Sequence, residues 1–321
     1  MTLEVGYVGF DMHKLTSLVD INPFPLGSNT RTYNTDPSNS VFGSLLEFAN
    51  VSTGNYNSLQ VNLTKRYADT KIGHVFYTFA YTWSHELDNV SGFRQRNSVV
   101  PYYDEQYFHA SGDTDVRQVI ALSGGWDLPF DRAWQGGPKT LTKGWSLYSI
   151  FNWRTGFPLD VGAGLNTTNT DPGPAGDGAP GLVRADLALP TVATYNPRGQ
   201  QTINGNSGNF YFNPLAFSNT RLLALDQTAQ TNAAGLNGQY TEGTLGRNAI
   251  RGPGFVNTEL ALSKHFKFSE KVDTELRVDA FNVFNHVNFG NPNTNIFSST
   301  FGQVSTTQGP RVLQLALHLR F

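Results

Sequence analysis

Apolar and polar residues alternate with a period of two in eight separate stretches of this chain, and few folds accommodate that pattern repeated so often. The last eleven residues, RVLQLALHLRF, carry it most plainly. Leu313, Leu315, Leu317, Leu319 and Phe321 take every second position, and Gln314, Ala316, His318 and Arg320 fill the gaps. Successive side chains of a strand project to opposite faces, so each stretch predicts a strand with one greasy face and one wet face. The other seven span 2–10, 57–67, 75–84, 116–130, 145–159, 256–268 and 272–285, and the closing strand is 311–321. In the second, Leu59, Val61, Leu63 and Tyr67 share a side. In the third, Val75, Tyr77, Phe79, Tyr81 and Trp83 oppose Thr78, Ala80, Thr82 and Ser84. No helical stripe competes, and no apolar run reaches the roughly 18 residues that a membrane-crossing helix needs.

Composition removes several function classes. A formal net charge of -2 does not supply the basic surface that nucleic acid requires, so no nucleic-acid partner is expected. The absence of cysteine excludes disulfides, thiolate metal sites and Cys nucleophiles. Aromatic residues at 13% are too many for a disordered chain. The opening MTLEVGYVGF lacks a basic stretch followed by an apolar run, so an exported form is expected to begin upstream of Met1.

The connections alternate in length. Those at 11–56, 85–115 and 162–255 are long, that at 286–310 is of medium length, and those at 68–72, 131–144 and 269–271 are shorter. Outer-membrane barrels show this asymmetry, with short periplasmic turns and long extracellular loops. Alternation by itself fits a soluble β-sandwich equally, since there the apolar face is simply buried. Loop asymmetry, the terminal aromatic Phe321, and an aromatic girdle of Tyr81, Trp83, Trp126, Trp145 and Trp153 near strand ends favour the membrane. The expected fold is therefore all-β, an antiparallel transmembrane β-barrel of about eight strands spanning 1–321, with 162–255 as a long extracellular loop.

A three-residue connection at Ser269, Glu270 and Lys271 makes the sixth and seventh strands a hairpin whose partners sum to about 540. Lys267 then faces Asp273, His265 faces Glu275 and Ser263 faces Arg277, while Leu262 meets Val278 and Leu260 meets Ala280 on the other side. Lys264 falls in phase with the apolar set and is expected to snorkel to lipid headgroups. Glu259, Asp273, Glu275, Arg277, Asp279 and Arg320, with His318, are expected to face the lumen, either salt-bridged to one another or contacting a plug.

The chain resembles the carboxyl-terminal barrel portion of a TonB-dependent outer-membrane receptor of the Oar-like kind, whose members carry a carboxypeptidase-regulatory-like domain. The residues carrying the resemblance are LEVGYVG (3–9), YNSLQVNLTKRY (56–67), YTFAYTWSHELD (77–88), DVRQVIALSGGWDLPF (115–130), RTGFPLDV (154–161), YFNPLAF (211–217), GTLGRNAIRGPGF (243–255) and FNVFNHVNFGNPN (281–293). The resemblance implies that these strands are the last third of a larger barrel, about 22 strands with a plugged lumen. It implies outer-membrane lipid as surroundings, and the barrel-assembly machinery as the reader of Leu313, Leu315, Leu317, Leu319 and Phe321. Contact with the TonB system would run only through a plug region that this stretch does not contain. A small ligand, whether oligosaccharide, peptide or chelated metal, would be the cargo.

No catalytic, cofactor or metal site is expected. No G-x-S-x-G and no phosphate loop is present. His85, Glu86 and Asp88 are read as a solvated polar turn, and Asp113 and Asp115 as capping the loop before the fourth strand, rather than as ligands. In the long loop, Phe210, Tyr211, Phe212, Phe217 and Tyr240 leave two readings open, a surface that stacks on a ligand or a small core that holds the loop together.

Overall fold

The computed structural model describes residues 1–22, 32–33, 45–91, 100–101, 108–162, 184–224, 243–267 and 273–321. Among them, eight long strands form one antiparallel meander: β1 (Thr2–Asp20), β2 (Leu46–Thr70), β3 (Gly73–Asp88), β4 (Gln118–Leu128), β5 (Trp145–Arg154), β6 (Phe255–Lys267), β7 (Asp273–Phe281) and β8 (Val312–Arg320). Each pairs with its neighbours in sequence. The sheet is open among the described residues: β8 has no strand on its outer edge, and β1 gains only a two-residue parallel pairing with Val100–Pro101.

Register turns eight separate alternations into two continuous surfaces. Val75, Trp126, Leu147, Leu262, Val278 and Leu315 follow one another across β3 to β8. Leu3, Leu63, Phe79, Leu122 and Phe151 do so from β1 to β5. The opposite face runs through Asn62, Ala80, Ala121, Asn152 and Asn257. The hairpin of β6 and β7 has the register expected of it, from Lys267 opposite Asp273 to Leu260 opposite Ala280. Its connecting residues 269–271 lie outside the described residues.

Which face is covered decides between sandwich and barrel. Leu315 is 70% and Leu317 62% exposed, and among the described residues no second layer covers the apolar face. Ser58, Ser84, Ser146 and Ser263 on the polar face are buried. A sandwich reverses that assignment. No helix of the described residues is long and apolar enough to cross a membrane, so any crossing is made by strands.

Several segments differ from expectation. β1 and β2 run ten or more residues past the predicted ends at 10 and 57, pairing from Asp11 with Asn55 out to Asp20 with Leu46. At ~3.3 Å per residue, the 25 residues of β2 extend about 80 Å, well beyond the 9–11 residues that cross a bilayer. In the outer part of that hairpin Ser17, Val19 and Ser52 are buried while Leu15, Phe48 and Val51 are exposed, so burial there follows no apolar stripe that the sequence could announce. Tyr67 changes sides. A register shift between Lys65 and Ala68 puts its ring flat on His74 at 5.0 Å, with its hydroxyl donating to Asp127 on the polar face. β5 stops at Arg154, releasing Phe157, and β7 stops at Phe281, leaving Phe284 exposed in a turn bounded by Asn282 and Asn285, both at positive φ.

The long loop is not a bare loop. Its described parts pack into a lobe with short pairings of Asp186–Leu187 with Phe217–Ser218, Gln201–Ile203 with Asn206–Gly208, and Pro158–Leu159 with Ile250–Arg251. Val161, Ala185, Phe212, Ala216, Phe217, Leu245 and Phe301 form its core. The motif FNVFNHVNFGNPN works through its asparagines. Asn288 is buried and both donates to and accepts from the Val256 backbone at 2.8 Å, and Asn282 does the same for His286 at 2.9 Å.

Candidate functional site

The long connections gather at one end of the sheet, and two of them, between β3 and β4 and between β5 and β6, are fastened there by arginines that the sequence reading passed over. Arg247 is buried within GTLGRNAIRGPGF. It donates to the Phe108 carbonyl at 2.8 Å, the Asp88 carbonyl at 3.2 Å, the Ser91 hydroxyl at 2.6 Å and the Asp88 carboxylate. Asn248, at positive φ, donates to the Ser111 carbonyl at 2.8 Å and to Asp113 at 2.7 Å. Arg251 donates to the Asp115 carbonyl at 2.6 Å and to its carboxylate, which also takes Arg117 at 2.8 Å. Gly156 lets the lobe dock closely, because a Cβ there would stand 1.8 Å from the Gly252 carbonyl oxygen.

HELD is therefore not a solvated turn, and Asp115 of SGDTDVR accepts from the Glu86 N–H at 3.0 Å as well as from the guanidiniums. Asp88 and Asp115 are both buried and each accepts charge-assisted hydrogen bonds from a guanidinium group. Burial pushes the Asp115 carboxyl up, but the Glu86 N–H at 3.0 Å and the Arg251 and Arg117 guanidiniums outweigh it and hold it below the usual carboxylate range. A depressed folded pKa means that this stabilisation is complete above the unfolded value near pH ~3.9 and is lost as pH falls through the folded value. Exchange of the Glu86 amide, corrected for its intrinsic rate, should stay flat from pH 8 to 5 and quicken only below about pH 4. Quickening near pH 6 would implicate His85, which lies 3.3 Å from Asp115, instead.

Of the loop aromatics, Phe210, Phe212 and Phe217 are buried, and Phe212, Phe217 and Phe301 meet edge to face at 5.3 to 5.6 Å. Those rings have no open face for a ligand, so the ligand-stacking reading fails for them and the core reading describes their surroundings. Tyr211 packs against the same core, and Tyr240 lies outside the described residues.

The expected lumen charges share the polar face. Arg277 grips Asp279 with both nitrogens at 2.8 to 2.9 Å, Glu275 stands 3.6 Å from His265, and Glu259 accepts from Asn257 at 3.0 Å. Asp273 is opposite Arg320 in register. Of these charges, Arg277 and Asp279 form the close ion pair.

The aromatic set sits at two levels of the apolar face. Tyr81, Trp83 and Trp153 lie toward the long connections, whereas Trp126 and Trp145 lie toward the short ones and donate to the Ile72 and Leu141 carbonyls at 2.6 and 2.7 Å. On β5 the eight-residue step from Trp145 to Trp153 is ~27 Å of strand, or about 20 Å of bilayer normal at the usual tilt, close to the apolar band of membrane barrels. Lys264 does not snorkel. Its buried ammonium donates to the Lys143 carbonyl and lies 4.8 and 5.5 Å from the Phe266 and Trp145 ring centres.

The comparisons with known proteins bear on this geometry. The family model of the outer membrane beta barrel domain matches residues 1–314. Among solved structures, the outer membrane transporter YddB from Escherichia coli is similar at 9% identity and a TM-score of 0.42, over 99% of this chain and 30% of that one. The chain thus spans about 30% of the length of that transporter. No curated protein matches. With the family match running through the first seven strands and into the eighth, the chain belongs to the outer membrane beta barrel domain family, and the solvent met by its apolar face is the hydrocarbon of the outer membrane.

Proposed function

We propose that this chain is the carboxyl-terminal barrel portion of a TonB-dependent receptor of the Oar-like kind, a non-enzymatic protein that takes up or holds a small ligand at the cell surface. The observation that carries this reading is that, among the described residues, no long strand pairs with the outer edges of β1 and β8. In hydrocarbon each unpaired N–H and C=O costs several kcal/mol, so the sheet must be closed by further strands or by itself. The ordered set of motifs quoted above supports further strands of the same receptor. On this reading Leu313, Leu315, Leu317, Leu319 and Phe321 form the signal for barrel assembly. The arginine-fastened lobe supplies part of the outer vestibule, and the charged polar face meets a plug. The ligand class stays open among oligosaccharide, peptide and chelated metal.

A second reading, a self-contained eight-stranded barrel with a structural or adhesive role, is favoured by the strand count, because eight strands are enough to close. Cysteine pairs separate the two, since the chain has no cysteine of its own. One cysteine at Val5 or Tyr7 in β1 and one at Leu313, Leu315 or Leu317 in β8, expressed from the natural locus, should give no crosslink in outer membranes. Efficient crosslinking in one register would establish the small barrel and end the receptor reading. Ligand uptake by the same strain should stop when the proton gradient is collapsed.

A further inference from the structure

The β4–β5 connection, at the end opposite the lobe, is folded tightly and does not trail. It contains two single-turn helices, Phe130–Ala133 and Lys139–Thr142. Arg132 ties it to Asp69 at 2.9 Å and to the Thr70 carbonyl at 3.1 Å, Lys143 approaches Asp131 at 3.8 Å, and Trp145 and Lys264 hold the Leu141 and Lys143 carbonyls. Held in this way, it still leaves Phe130, Trp134 and Leu141 outward, the last two 60% and 59% exposed. Apolar side chains on a braced periplasmic turn are costly in water and favourable at the level of lipid headgroups.

Beside them lies a cavity of about 590 Å³ walled by Lys139, Lys143, Lys264, Lys267, His265 and Phe266, with Asp273 at its edge. Its cations are not all spent. Lys264 and Lys143 are engaged as described, whereas Lys139 and Lys267 make no ion pair within 4.0 Å among the described residues, Lys267 standing opposite Asp273 in register. Two ammonium groups with no ion pair among the described residues, over an apolar wall and next to side chains that seek the headgroup layer, complement the polarity of a phosphate with its acyl chains attached.

We propose that this pocket binds the headgroup of an anionic glycerophospholipid in the periplasmic leaflet of the outer membrane. The phosphate sits between Lys139 and Lys267, and the glycerol and first acyl carbons lie along Phe266 and the apolar wall. Phe130, Trp134 and Leu141 set the depth at which the turn meets the leaflet. The site depends on the membrane placement of the barrel and is independent of whether the chain belongs to a TonB-dependent receptor.

The test uses the full chain reconstituted in phosphatidylcholine vesicles in which a tenth of the lipid is brominated, as either phosphatidylglycerol or phosphatidylcholine. Tryptophan emission should be quenched more by the brominated phosphatidylglycerol. Each lysine near the surface favours an anionic lipid about fivefold, so Lys139→Gln with Lys267→Gln should cut the preference about 30-fold. Lys71→Gln, at the same end of the barrel but outside the pocket, should leave it unchanged. Equal quenching by the two lipids in the unsubstituted chain overturns the proposal without needing any variant to fold. So does loss of the preference on adding inorganic phosphate at constant ionic strength, which would assign the pocket to a free anion. An equal drop for Lys71→Gln overturns it as well, by reducing the effect to general surface charge.

Discussion

Replacing Arg247 by alanine should release the lobe from the barrel while leaving the strands paired. The guanidinium is the common donor to Asp88, Ser91 and Phe108, and its removal strands a buried carboxylate beside two carbonyls. Breaking one side of a buried pair typically costs about 3–5 kcal/mol, because the remaining charge has no partner. Hydrogen exchange at Asn89 and Ser111 should therefore quicken by two to three powers of ten, to the order that such a cost implies. Exchange at Leu122 and Phe151 in the sheet should hardly change. The double substitution Arg247→Leu with Asp88→Asn should recover much of the loss, since no uncompensated charge is left behind. If the double variant is as open as the single one, the lock depends on shape rather than on charge.

The second large effect is expected at Leu122. It stands on the apolar face between Phe79 and Phe151, four residues from Trp126 and four from Gln118, which pairs with Trp83. An arginine at the bilayer midplane on the lipid side costs about 2–4 kcal/mol, whereas lumen positions tolerate charge. Leu122→Arg should lower the urea midpoint of the chain folded in lipid vesicles by that amount. Ser123→Arg, one residue along and on the opposite face, should cost less than about 1 kcal/mol. Band shifts on unheated gels across a urea series measure both.

What could be read from sequence follows from where two constraints coincide. The β6–β7 register was legible because apolar partners on one face and opposite charges on the other demand the same pairing, and a slip of one residue violates both. The membrane-crossing parts of β2, β3 and β4 were legible for the same reason. The outer halves of β1 and β2 were not, since there Ser17 and Ser52 are among the buried positions while Leu15 and Phe48 are exposed, and no apolar stripe marks the strand. Tyr67 was assigned to the wrong face because a bulge adds a residue without changing the local pattern.

The arginine lock was hidden for a different reason. Arg247 and Asp88 are 159 positions apart, and nothing in HELD or GRNAIRG says that one side chain is to meet the other. The motifs carrying the family resemblance did mark the segments involved: 77–88, 115–130 and 243–255 meet at this lock. The loop phenylalanines were ambiguous in sequence because a buried ring and a ligand-stacking ring have the same composition. Only the mutual packing of Phe212, Phe217 and Phe301 distinguishes them.

Spin-label accessibility along β4 tests the central claim most directly. Single cysteines at Val119, Ile120, Ala121, Leu122 and Ser123, in a chain that has no others, report one side chain at a time. Labels at 120 and 122 should relax with molecular oxygen, which concentrates in acyl chains, and labels at 119, 121 and 123 with a water-soluble nickel chelate. Nickel access at 120 and 122 with oxygen access at 121 and 123, or no alternation at all, would contradict an apolar face turned to lipid around a wet interior.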